Sequence, residues 1–63
     1  MPKTDLTVNL IGGDGNGFAI LGIVQRALER HGYRDLAVQY IEEAIMGDYD
    51  HLLRTTMEYV NVE

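Results

Sequence analysis

From Leu6 to Ile11 apolar and polar residues take turns, Leu6-Thr7-Val8-Asn9-Leu10, until Gly12-Gly13 stops the pattern. A period of two marks a half-covered strand, so Leu6, Val8 and Leu10 are expected on the core side. Residues 12–17 hold four glycines, with Asp14 and Asn16 placed to cap a helix that begins near Gly17. The spacing then changes: Ile20, Leu21, Ile23, Val24, Ala27 and Leu28 fill one helical arc, opposite Gln25, Arg26, Glu29 and Arg30. Gly32 predicts the end of this helix, just beyond Arg30 and His31, which suit the negative end of its dipole.

Tyr33, Ala37, Tyr40, Ile41 and Ala44 repeat at helical spacing against Asp35, Gln39, Glu42 and Glu43, predicting a second helix closed by Gly47. Asp48 is the expected cap of a third helix, with an apolar stripe of Tyr49, Leu52, Leu53, Thr56, Met57 and Val60. Asp50, Arg54 and Glu58 follow one another at i,i+4 on its outer side. From about Tyr59 the β-branched residues alternate with Asn61, the pattern of a short strand. These elements predict an α+β fold, a small β-α-α-α-β domain with a two-stranded sheet packed against three short helices. Residues 1–63 form one domain, with residues 1–4 expected to be flexible.

A chain of 63 residues has one small core and needs help to be stable. Having no cysteine, it gains none from disulfides or thiolate zinc sites. A two-stranded sheet is marginal in water, and this leads to the expectation of a homodimer. The longest apolar run, Phe18 to Val24, is far shorter than the roughly 20 residues a membrane helix needs. The opening Met1-Pro2-Lys3-Thr4-Asp5 lacks the apolar core of a secretory signal, so a cytoplasmic location and no membrane partner are expected. Ten acidic against five basic residues give a net charge of −5, the wrong sign for direct contact with nucleic acid.

The glycine-rich loop 12–17 is the first candidate site, because backbone N–H groups at a helix start can hold an anion or nucleotide. Gly13, Gly15 and Gly17 give G-x-G-x-G, however, and Phe18 stands where the dinucleotide frame needs its last glycine. A calcium loop beginning at Asp14 lacks its ligands at later positions. Asp48, Asp50 and His51 are the densest polar cluster, and they fall in a first helical turn where acids serve as caps. Catalytic and metal-binding residues are therefore expected to be none, and no cofactor is expected. Tyrosine is a common interface anchor, which makes Tyr33 and Tyr40, with the acids Glu42, Glu43, Asp48 and Asp50, the candidate partner-binding set.

Three stretches carry a resemblance: Gly13-Asp14-Gly15-Asn16 with Phe18, Ile20, Leu21 and Gly22; Gly47-Asp48-Tyr49-Asp50 with Leu52 and Leu53; and Met57-Glu58-Tyr59-Val60 with Val62. Together they resemble a group of short, largely uncharacterised proteins of bacteria, phages and other mobile elements, with Gly17 where alanine is expected. The resemblance implies a small protein acting on host machinery. Joined to the acidic composition, it leads to a non-enzymatic protein-interaction module, with inhibition of a host nucleic-acid-binding or defence protein as its narrower form. The alternative is a small anion- or nucleotide-binding protein that uses the loop 12–17.

Overall fold

A computed structural model describes residues 2–10 and 17–63. Along the chain lie β1 (Thr7–Val8), α1 (Gly17–Arg30), α2 (Arg34–Ala44), α3 (Tyr49–Tyr59) and β2 (Asn61–Val62). The two strands form a parallel sheet, with Thr7 opposite Asn61 and Val8 opposite Val62. α1 packs on α2 and α2 on α3, while the sheet lies against α1 and α3. Three helices and a small two-stranded sheet make this an α+β structure.

Each helix buries the stripe that its spacing puts on one side. Ile20, Val24 and Leu28 of α1 meet Ala37, Tyr40 and Ala44 of α2, and the alanines let the two backbones approach closely. Leu6 and Leu10 pack half-buried beside fully buried Val8, as the alternation predicts, although the ladder itself is only two residues long. On α3 the buried residues are Leu52, Thr55, Thr56 and Tyr59, with Val60 directly after the helix. This corrects the expected stripe in part: Leu52, Thr56 and Val60 are buried as expected, whereas Tyr49 and Met57 are exposed and Thr55 and Tyr59 take the interior in their place.

The chain reversals use backbone chemistry. Gly32, at φ +86°, closes α1: its N–H donates to the Glu29 carbonyl, and the Tyr33 N–H reaches back to Leu28 at 2.8 Å. This Schellman arrangement needs the left-handed conformation that glycine adopts without cost. α2 stops at Ala44, three residues before Gly47, and the N–H groups of Ile45 and Met46 satisfy the free carbonyls of Ile41 and Glu43.

Residues 3 and 4, within the stretch expected to be flexible, are hydrogen-bonded to the end of α3. The Lys3 N–H donates to the Glu58 carbonyl at 2.8 Å, and the buried Thr4 hydroxyl donates to the Tyr59 carbonyl at 2.7 Å. The Lys3 ammonium stands 5.3 Å from the centre of the Tyr59 ring. These bonds satisfy the C-terminal carbonyls of α3, which would otherwise lack partners. The expected turn and cap at Gly12, Gly13, Asp14, Gly15 and Asn16 lie outside the described residues.

Candidate functional site

The polar cluster at the start of α3 is a set of structural bonds. Asp48 caps the helix, its Oδ1 accepting from the His51 N–H at 2.9 Å. The His51 ring turns back across the α2–α3 corner, where its Nε2 lies 2.8 Å from the Glu43 carbonyl oxygen. A carbonyl only accepts, so Nε2 carries the proton and His51 fastens the end of α2 to the first turn of α3. Asp50 is exposed beside them. Among the described residues no group of three or more His, Asp and Glu is placed to hold a metal ion.

Gly47 fits this corner because it has no side chain. A Cβ there would stand 2.8 Å from both Cβ and Cγ of His51. Gly47→Ala is therefore expected to displace the imidazole, break its bond to Glu43 and cost about 1–3 kcal/mol, read as a lower urea midpoint. Because the contact includes the His51 Cβ, adding His51→Ala should not restore stability.

Tyr40, proposed from sequence as a contact residue, is instead 0 % exposed. Its hydroxyl lies 2.7 Å from the Thr56 Oγ1, which itself donates to the Leu52 carbonyl at 2.8 Å. Tyr40 is therefore the donor to Thr56, and the three groups form a buried chain of hydrogen bonds. The ring of Tyr59 meets that of Tyr40 edge-on, with centroids 5.4 Å apart. The Tyr59 hydroxyl is buried without a hydrogen-bond partner among the described residues. Burial first, then the Glu43 carboxylate, acting as a weak acceptor too poorly placed for a full hydrogen bond and through its charge, and last the charge of Glu58, push the Tyr59 phenol far above its ordinary value. Burial raises that of Tyr40 as well, and the neighbouring Thr56 hydroxyl, which can turn to donate to the phenolate, offsets part of the effect.

The other proposed contact residues fall at three places: the α1–α2 turn, the last turns of α2 and the start of α3. Glu42, Asp48 and Asp50 are exposed, Tyr33 is at the edge of exposure near the α1–α2 turn, and Glu43 is half-buried near Tyr59. The surface groups that do converge are apolar and were not singled out from the sequence. Phe18 at the start of α1, Ile45 and Met46 in the α2–α3 turn, and Tyr49 at the start of α3 are 83, 61, 79 and 44 % exposed. Phe18, Ile45 and Tyr49 surround a shallow groove of about 290 Å³ that Leu21 and Leu52 also line, with Asp48 at its side. The available sign was Ile45-Met46 standing immediately before Gly47-Asp48, two large apolar residues at a turn where polar ones are usual.

No family model, curated protein or solved structure matches this chain. No helix among the described residues is long and apolar enough to cross a membrane.

Proposed function

We propose that this chain is a protein-interaction module and that its contact surface is the end of the molecule bearing Phe18, Ile45, Met46 and Tyr49. The observation that supports this reading is the gathering of exposed Phe18, Ile45 and Tyr49 around one groove, with exposed Met46 next in the chain to Ile45. Large apolar side chains scatter singly over most small proteins, whereas grouped ones cost solubility unless another surface covers them. Asp48 stands at the groove, Asp50 lies in the same first turn of α3, and the chain carries a net charge of −5. The matching partner is an apolar segment flanked by lysine or arginine.

Affinity capture from the cells that encode the chain, with the wild type and a Phe18→Ser/Met46→Ser variant as baits, tests this directly. The expected result is a basic protein retained by the wild type and lost by the variant. Retention of the same proteins by both baits would place the contact elsewhere. The narrower reading, inhibition of a nucleic-acid-binding or defence protein by charge mimicry, adds a salt requirement. Glu42→Lys with Asp50→Lys should then abolish capture at low salt; Glu43 suits this test less well because it sits against Tyr59. A homodimer is the competing use of the same surface, and sedimentation over a range of concentrations distinguishes it.

A further inference from the structure

A second groove lies away from the apolar end, along β1. It measures about 330 Å³ and is walled by residues 7–9 on one side and by Ile23, Arg26 and Arg30 of α1 on the other. No residue of β2 lines it, so it follows the edge of β1 that β2 leaves open. The ladder shows which backbone groups face that edge. Asn61 donates to the Leu6 carbonyl at 2.8 Å and Glu63 to the Val8 carbonyl at 2.9 Å. In a parallel strand a residue's own N–H and C=O point the same way, and successive residues alternate. Thr7, between the two paired residues, is therefore turned to the opposite edge, toward the groove.

We infer that this edge is a docking site for an extended, acidic segment of another protein, which adds a strand to β1 and sets its carboxylates against Arg26 and Arg30. Two independent features select this occupant. The first is the open edge: two strands are too few for a stable sheet in water, and a third supplies hydrogen bonds that the backbone at Thr7 lacks within the sheet. The second is charge. Arg26 and Arg30 are one helical turn apart on the same side of α1, and neither forms an ion pair with an acid among the described residues. In a chain with twice as many acids as bases, two of the five bases stand at this one groove. Guanidinium groups fit carboxylates in a paired geometry, and half-exposed Ile23 and Ala27 give an apolar floor to the alternate side chains of an added strand. A second copy docked through the same edge would bring four arginines together, which disfavours self-pairing here.

The test uses the whole chain, labelled with nitrogen-15, and a synthetic peptide of roughly six residues alternating valine with glutamate or aspartate. The amide signals of Thr7 and Asn9 should move on titration, more than those around Ile45 and Met46. Arg26→Glu with Arg30→Glu should weaken the acidic peptide by about tenfold or more and favour its lysine counterpart, with an unchanged circular dichroism spectrum. If that variant fails to fold, the wild type reads the same charges, because binding should fall steeply with added salt. Three results would overturn the inference: no movement at residues 7–9 at millimolar peptide, an equal response to the lysine peptide, or the same shifts from inorganic phosphate alone. Concentration-dependent shifts without peptide would assign the edge to a second copy and overturn it too. Loss of the partner in the Phe18/Met46 capture experiment bears on the other end of the molecule and leaves this result intact.

Discussion

Tyr40→Ala is expected to remove a large share of the stability of this fold, about 3–5 kcal/mol. The side chain is completely buried between α2 and α3, packs edge-on against Tyr59 and anchors the hydrogen-bond chain through Thr56 to Leu52. Removing a buried aromatic ring costs about 3–5 kcal/mol through lost transfer energy and the cavity left behind. A 63-residue domain has a total stability of only about 3–9 kcal/mol. The truncation therefore consumes from about a third of that reserve to all of it, and a lower urea midpoint with a weaker helical circular dichroism signal reports it. Tyr40→Phe keeps the ring and removes only the donor to Thr56, so its cost should stay near 1–2 kcal/mol. Equal losses for the two variants would mean that the hydroxyl, rather than the packing, carries the effect.

The second large effect is alkaline unfolding. Tyr40 and Tyr59 both hold their protons more tightly in the folded chain than in the unfolded one. Below the unfolded value of 10.0 both states are protonated, and the two tyrosines contribute their full stability there. As pH rises past 10 the unfolded chain releases these protons first, and each affected tyrosine lowers stability by about 1.4 kcal/mol per pH unit until its folded form also ionises. Part of the tyrosinate absorbance should therefore appear only as the helical signal disappears. Tyr59→Phe removes a buried hydroxyl that makes no well-formed hydrogen bond among the described residues, so it should be close to neutral at pH 7 and should make the alkaline fall shallower. A Tyr59→Phe variant with an unchanged alkaline midpoint would count against this account.

Local rules made the three helices readable from the sequence. Gly32 and Asp48 mark ends through backbone conformation and capping, both governed by residues within a few positions, and both act in the structure as their residue types dictate. The exchange on α3 was not readable in this way. Helical spacing put Thr56 on the inner side, but its hydrogen bond with Tyr40, sixteen positions earlier, is recorded by nothing near it. The same pairing removes Tyr40 from the surface, where its residue type alone had suggested a contact role. Met57 and Tyr49 look like core by composition, yet the helix rotates them outward once Thr55 and Tyr59 join Thr56 on the inner side. The exposed end around Phe18, Ile45 and Met46 depends on how α1 meets the α2–α3 turn, a tertiary relation that periodicity does not encode.

The parallel pairing of β1 with β2 has a mechanical consequence. The backbone enters β1 at one end of the short ladder and leaves β2 at the other, with Thr7 beside Asn61 and Val8 beside Val62. Tension applied through residues 3 and 63 pulls the two strands past each other, so their few cross-links share the load and break together instead of peeling in sequence. The anchor of Lys3 and Thr4 on the end of α3 lies in the same line of force, making the weakest-looking part of this small protein its grip against stretching.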